Sequence, residues 1–284
     1  MEWIKRLNRA VNYMEENIRE TIDIDEVARI ACCSTYHFQR MFSYMADITL
    51  SEYIRRRKMS LAAVDLQSGK ERVIDISLKY GYNSPTAFNR AFKSVHGIAP
   101  SQVKKVGTVI KAFPPISFKI IIRGDSELNY RIEQKEAFRI IGISKPLEKE
   151  IEKNFEIVPR MWYEATMNGT IARFAGMMNG MPMGLLGVSS CNEEDNWRYY
   201  IAVASSQPLQ EDMEEYIVSA SLWAIFSGEG KSQSIQELEK RIVTEWLPTS
   251  GYEYGEAPDI EVYLNADPEN SRYEVWIPVK KKEN

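Results

Sequence analysis

Slid by fifty residues, the chain matches itself, and nothing else in it limits the fold so strongly. Ser34, Phe38, Arg40, Phe42, Ile48 and Ser51 fall on Ser84, Phe88, Arg90, Phe92, Ile98 and Ser101 without a gap. Repetition at one offset marks a duplicated supersecondary unit. Each copy reads as helix, tight turn, helix. In the first, Asp23 and Glu26 stand as a capping box before the apolar positions Val27, Ile30 and Ala31. The turn Cys32-Cys33 follows, Ser34 caps the next helix, and Phe38, Met41, Phe42 and Met45 make its inward stripe at helical spacing. In the second copy Gly81 ends one helix, Ser84 caps the next with Pro85 at its first position, and Phe88, Ala91, Phe92 and Val95 repeat the stripe. Between the copies, 50–67 reads as one long helix with Leu50, Tyr53, Ile54, Leu61 and Val64 inward.

With the phenylalanines turned in, Thr35, Tyr36, Gln39 and Arg40 are left facing out in the first copy. Thr86, Asn89, Arg90 and Lys93 are left facing out in the second. Such a helix suits the major groove: Arg can hold guanine O6 and N7 together, and Gln or Asn adenine N6 and N7. Ser34 and Ser84 leave helix N-terminal amides able to meet phosphates. The basic stretch Arg55, Arg56, Arg57, Lys58 on the long helix adds phosphate contacts, chiefly from Arg55 and Arg57. A long helix that spaces two readers by ~34 Å lets one chain enter two successive major grooves. Charge agrees: residues 1–107 hold 17 Lys and Arg against 12 Asp and Glu, and the remainder 19 against 28. A basic first third on an acidic rest expects only the first part to meet a polyanion.

The stretches EVARIACCSTYHFQRMF, YIRRRKM and ISLKYGYNSPTAFNRAFKSVHGIAPS resemble the double helix-turn-helix domain of AraC/XylS transcription regulators over roughly residues 8–107. The resemblance implies base contacts from Tyr36, Gln39, Arg40, Thr86, Asn89 and Arg90. It departs at Asp47 and Leu50, which stand where the second copy has Gly97 and Pro100, at Ser77 for the usual alanine, and at Cys32 where many members have glycine. The domain is expected over 1–107.

Gly107, Pro114, Pro115 and Gly124 make 108–126 a linker, although Phe113 and 117–122 carry enough apolar mass to pack on a domain. The remaining residues, 127–284, show strand, helix, strand, strand twice: 137–144, 149–166, 185–190 and 197–204, then 217–226, 232–246, 260–264 and 273–279. The expected fold is an all-α N-terminal domain, two helix-turn-helix units joined by a long helix, followed by an α+β domain of duplicated β-α-β-β with antiparallel sheet. A duplication of this kind leaves a groove where the halves meet. Alternation puts Glu261 and Tyr263 on one strand face, and Glu274 stands beside Trp276. Carboxylates among aromatic rings suit an organic cation, and Trp162, Trp197 and Trp223 are further ring candidates, although each taken singly reads first as core. Four methionines among the glycines of 176–184 read as a lid or as a loop resting on the core. SLWAIFSGEG, EWLPTSGY and DIEVYLN resemble the GyrI-like, multidrug-sensor type effector-binding domain. That resemblance implies that Glu261 faces the ligand cleft, with Glu274 as a second carboxylate.

Two histidines and three cysteines leave almost no material for triad or metal chemistry, and no catalytic residue, metal or cofactor is expected. No apolar run is long enough to cross a membrane and the N-terminus has no signal-like stretch, which expects the cytoplasm. The expected function is a sequence-specific regulator whose partners are promoter DNA, a small amphipathic effector and RNA polymerase. Two alternatives stand beside it. One is a hydrolase fused to a DNA reader, with Glu261 paired to Tyr263 or Tyr252; the other is an acidic protein-binding module.

Overall fold

The computed structural model describes residues 2–105, 107–119, 127–149, 151–191, 196–265, 267 and 270–282. It divides into a helical unit, Glu2–Lys119, and an α+β unit, Ile120–Asn284. Val106, Gly124 and the 120–122 part of the expected linker lie outside the described residues. Among the described residues no helix is long and apolar enough to cross a membrane, and no group of three or more His, Cys, Asp and Glu is placed to hold a metal ion.

The helical unit runs α1 (Glu2–Glu16), α2 (Ile24–Ala31), α3 (Thr35–Ala46), α4 (Leu50–Ser68), α5 (Val73–Lys79) and α6 (Pro85–His96). The caps follow the sequence. Ser34 accepts from the amide of His37, Ser84 from that of Ala87, and Pro85 opens α6. Asp23 accepts from the amides of Asp25 and Glu26, but Glu26 does not close the expected box; Arg29, one turn on, takes its carboxylate at 2.5 and 2.6 Å. Cys32 ends α2 at φ 57°, a left-handed conformation that costs a side chain ~1–2 kcal/mol and glycine nothing. Gly81 ends α5 the same way, at φ 81°.

Two cores share α4. Phe38, Phe42 and Tyr53 form one aromatic chain, with centroids 6.1 and 5.3 Å apart. Met59, Ala62, Ala63 and Leu66 join Ile76, Tyr80, Phe88, Phe92 and Val95 in the other. Because α4 lies against both cores, its buried residues run round the helix instead of keeping to one stripe. Val64, expected inside, is 59% exposed.

Residues 108–119, expected as linker, run extended along the helical unit, pinned by side chains instead of a neighbouring strand. The amide of Lys111 donates to His96 Nδ1 (3.2 Å), that of Phe113 to Ser60 Oγ (3.0 Å), that of Ile116 to the Tyr53 hydroxyl (3.3 Å) and that of Phe118 to Asn8 Oδ1 (2.8 Å). Asn8 Nδ2 returns a bond to the Phe118 carbonyl (2.9 Å). The Phe118 ring is buried edge-on against Phe42, 5.7 Å between centroids.

His96 gives this strap a pH dependence. Its Nδ1 accepts from Lys111 while Nε2 faces the Met59 carbonyl at 3.0 Å, so the neutral ring is the form that fits. Burial lowers its pKa below the ordinary 6.5, with the Lys111 charge acting in the same direction. The unfolded chain therefore binds the proton more readily than the folded one. This contribution to stability is complete above the unfolded value and is lost as pH falls through it towards the folded value. Urea midpoints of the helical unit should fall between about pH 7 and pH 5, and His96→Gln should flatten that slope. An equal slope in both proteins would assign the acid loss to other groups.

The α+β unit is one antiparallel sheet with helices between its strands. The strands are β1 (Tyr130–Lys135), β2 (Phe138–Pro146), β3 (Leu185–Cys191), β4 (Trp197–Ala204), β5 (Glu214–Val218), β6 (Ser221–Gly230), β7 (Tyr252–Tyr254), β8 (Asp259–Tyr263) and β9 (Ser271–Lys281). Their order is β1-β6-β9-β8-β3-β4-β2-β5, with β7 paired to β9. After β2 come α7 (Ile151–Met167) and α8 (Thr170–Met177). After β6 come α9 (Ser232–Arg241), a π-helical turn over Ile242–Trp246 and α10 (Leu247–Thr249). The expected doubled β-α-β-β is present as β2-α7-β3-β4 and β6-α9-β8-β9, with α8, β1, β5 and β7 added. The expected strand 217–226 is two strands, broken after Val218. One sheet face carries Tyr199, Ile201 and Val203 against Met161, Ala165 and Phe174 of the helices. The other gathers Val188, Trp223, Ile260, Val262 and Trp276.

Candidate DNA-reading surface and ligand site

The duplicated helices α3 and α6 present their polar residues unequally. On α6, Ser84, Thr86, Asn89, Arg90 and Lys93 are all exposed, while Phe88, Phe92 and Val95 fill the core behind them. On α3, Ser34, Thr35 and Arg40 are half-buried, and Tyr36 and Gln39 are buried where the sequence expects them in the open. The Thr35 hydroxyl bonds Asp25 at 2.6 Å, and Arg40 Nε reaches the Tyr44 hydroxyl at 3.3 Å.

The basic stretch of α4 departs further from expectation. Arg55 stays exposed but is ion-paired with Glu52. Arg56 also bonds Glu52 and lies 5.0 Å over the Phe113 ring. Lys58 bonds the carbonyls of Glu20 (3.1 Å) and Tyr80 (3.2 Å), tying the segments that follow α1 and α5 together. Arg57 is only 8% exposed. Its Nε and Nη2 clasp Glu15 at 2.6–3.0 Å, and its Nη1 meets the Phe113 carbonyl at 2.5 Å. The Tyr53 hydroxyl donates to the same Glu15 at 2.6 Å. The Glu15 carboxylate raises the Arg57 pKa, and burial beside Glu15 raises that of Tyr53. Arg57 is therefore a tie inside the helical unit, because the phase of α4 sets it on the same side as Leu50 and Tyr53.

In the α+β unit, Glu261 on β8 lies opposite Gly187 on β3. The hydroxyls of Tyr199 and Tyr263 both donate to Glu261 Oε2, at 3.1 and 3.0 Å. The Trp162 indole on α7 donates to the Tyr199 hydroxyl at 2.9 Å, and its ring stands edge-on to Tyr263 with centroids 5.0 Å apart. Gly187 leaves the room this needs; a Cβ there would lie 2.2 Å from the Tyr199 hydroxyl and 2.8 Å from Glu261 Oε2. Burial raises the Tyr263 pKa well above the ordinary 10, and the charges of Glu261 and, more weakly, the buried Glu239 of α9 add to it. The phenol thus remains a neutral donor. A carboxylate ringed by three aromatic side chains offers charge and π faces together, the recognition chemistry of an organic cation.

The expected single cleft is divided. Val262 pairs with Glu274 and Ile260 with Trp276, so Glu274 and Trp276 occupy the sheet face opposite Glu261. Trp223 joins them, fully buried, its ring 5.7 Å from that of Trp276. Trp197 is buried at the start of β4, two residues from Tyr199, and serves the core. Of the named aromatic candidates, Tyr263 bonds Glu261 directly and Trp162 reaches it through the Tyr199 hydroxyl. Tyr199, Gly187 and Glu239 escaped the sequence reading. Tyr199 had a signal: it shares with Trp197, Ile201 and Val203 a strand face otherwise apolar.

Residues 128–280 match the GyrI-like small molecule binding domain, and residues 27–105 match a helix-turn-helix domain. The chain is 38% identical over 89 residues to the HTH-type transcriptional activator AarP of Providencia stuartii, covering 31% of this chain and 66% of AarP. It is 23% identical over 291 residues to the Right origin-binding protein of Escherichia coli (strain K12), covering 95% of this chain and 96% of that protein. Among solved structures, a transcriptional regulator with an AraC-type DNA-binding domain from Chromobacterium violaceum is 25% identical. That match covers 35% of this chain and 89% of the other, with a TM-score of 0.34.

Proposed function

Because this chain belongs to the GyrI-like small-molecule-binding family and carries an AraC-type helix-turn-helix domain ahead of it, we propose that it is a ligand-responsive transcription regulator acting on promoter DNA in the cytoplasm. The observation that carries the DNA half is α6, open along its whole polar side and anchored by Phe88 and Phe92 on the other. Ser84 positions the helix start for a phosphate, and Thr86, Asn89 and Arg90 meet base edges. Lys93 meets backbone. From α3, Arg40 and Thr35 supply the second contact, with Tyr36 and Gln39 beside them. The 19 residues of α4 span about 28 Å at 1.5 Å each, close to the ~34 Å between successive major-groove entries.

The effector half rests on Glu261, Tyr199, Tyr263 and Trp162. A lipophilic cation among them exchanges water for a carboxylate and aromatic faces. It shifts regulation only by as much as it binds one state of the chain more tightly than the other. RNA polymerase is the partner that reads the shift, and activation is the favoured sign. The hydrolase alternative gains no support from the comparisons, and a sensing role suits a carboxylate whose polar neighbours hold it still.

Arg90→Ala should weaken specific DNA binding by ~1–3 kcal/mol and relax preference at one base pair. A mobility-shift titration showing unchanged affinity removes Arg90 from the interface. Glu261→Gln should weaken a lipophilic cation such as a tetra-aryl phosphonium by ~0.5–2 kcal/mol or more while sparing a neutral analogue. Calorimetry giving equal affinities in variant and parent excludes Glu261 from the site.

A further inference from the structure

We infer that the α+β unit carries a second small-molecule site, on the sheet face opposite Glu261, which takes a compact aromatic or aliphatic ammonium ion. The protein's own Lys135 and Arg131 occupy it until the ligand displaces them. A pocket of about 390 Å³ opens there, with Glu274 and Trp276 at its polar end. Its apolar walls come from Phe138, Leu264 and the methionine loop. Met181 and Met183 are 69% and 51% exposed, large apolar side chains left on a surface that a ligand would cover.

The charges say which ligand fits. Glu274 is partly buried, its side chain 14% exposed. It receives the Trp276 indole N–H at 2.8 Å on one oxygen and Arg131 Nη1 at 2.9 Å on the other. Lys135 Nζ sits 5.8 Å over the Trp276 ring, so the indole face already holds an ammonium. Both cations also have Glu133 within reach. Glu133 takes Arg131 Nε at 2.6 Å and also pairs with Lys135. An entering ammonium can thus replace Lys135 on the ring and Arg131 on Glu274, while the displaced side chains, both partly exposed, keep Glu133 and gain water. An anion has no such exchange. It would have to draw Arg131 and Lys135 off their carboxylates and leave Glu133 and Glu274 facing it. With Glu136 also at the pocket, two cations stand among three carboxylates, which favours a positive guest.

This site is independent of the Glu261 reading, since the two carboxylates lie on opposite faces of the sheet. The probe is benzyltrimethylammonium, titrated calorimetrically into the full chain and its variants, with benzenesulfonate as the anionic arm. Lys135→Ala removes the built-in competitor and should tighten binding by about threefold, a gain that misfolding does not produce. Glu274→Gln should weaken it by roughly tenfold. Glu261→Gln should leave the second-site heat in place. The inference is overturned if Lys135→Ala and Glu274→Gln both leave the probe's affinity unchanged. It is overturned equally if all heat disappears with Glu261→Gln, or if benzenesulfonate binds and Lys135→Ala abolishes it.

Discussion

Arg57→Ala is expected to destabilise the helical unit by about 3–5 kcal/mol, the usual consequence of leaving a buried charge without its partner. Glu15 would keep the Tyr53 hydroxyl and lose the guanidinium that holds both its oxygens. The Phe113 carbonyl would lose its donor in the same step. Set against a domain stability of ~5–15 kcal/mol, that loss is a large share of the whole. The measurement is a urea or thermal unfolding curve of the full chain followed by a probe of the helical unit. A second variant separates lost charge from lost packing. Arg57→Met with Glu15→Gln removes both charges, keeps most of the volume and should recover much of the stability, since replacing a buried ion pair outright often costs little. The competing account, in which Arg57 binds phosphate, expects the reverse: a normal unfolding curve and weaker, less salt-dependent DNA binding. That outcome would return Arg57 to the DNA interface.

The contrast shows where sequence reasoning works and where it stops. Caps at Ser34 and Ser84, the inward phenylalanines and the long α4 were legible because each depends on residues within a turn or two of one another. The burial of Arg57 also had a local signal. Leu50, Tyr53 and Arg57 stand at i, i+3 and i+7, so the apolar stripe itself points Arg57 inward. Four consecutive basic residues masked this by suggesting one surface, whereas a helix turns each by about 100° from the last. The partners could not be read in advance, since Glu15 and Phe113 lie 42 and 56 residues away. In the α+β unit the alternation within β8 was legible and correctly set Glu261 beside Tyr263. Register across strands was not. The pairing of Val262 with Glu274 sends that second carboxylate to the other face, and a one-residue shift would have reversed it. The break between β5 and β6 escaped for a different reason: Ser219 and Ala220 carry no Gly, Pro, Asn or Asp to mark a turn.

A fragment ending at residue 107 is expected to be far less stable than one ending at 119, although both contain the whole double helix-turn-helix repeat. The shorter piece loses Phe113 and Phe118. Truncating one well-buried phenylalanine alone costs about 3–5 kcal/mol, and Phe118 is 7% exposed with its ring against Phe42. It also leaves Asn8, Tyr53, Ser60 and His96 without the backbone groups they hold. These four side chains come from α1, α4 and α6, so the strap closes over both cores that share α4. Its removal should loosen the spacing of the two reading helices as well as lower the melting temperature. Thermal unfolding and DNA titration of the two fragments, side by side, measure both effects. Phe118→Ala in the full chain checks that the loss comes from packing and not from a cut end; it should fall between the fragments in stability and keep specific binding at low temperature. If the 107-residue fragment melts with the longer one and binds DNA equally well, the strap is a passenger on a self-sufficient reader, and the folding unit ends where the sequence repeat does.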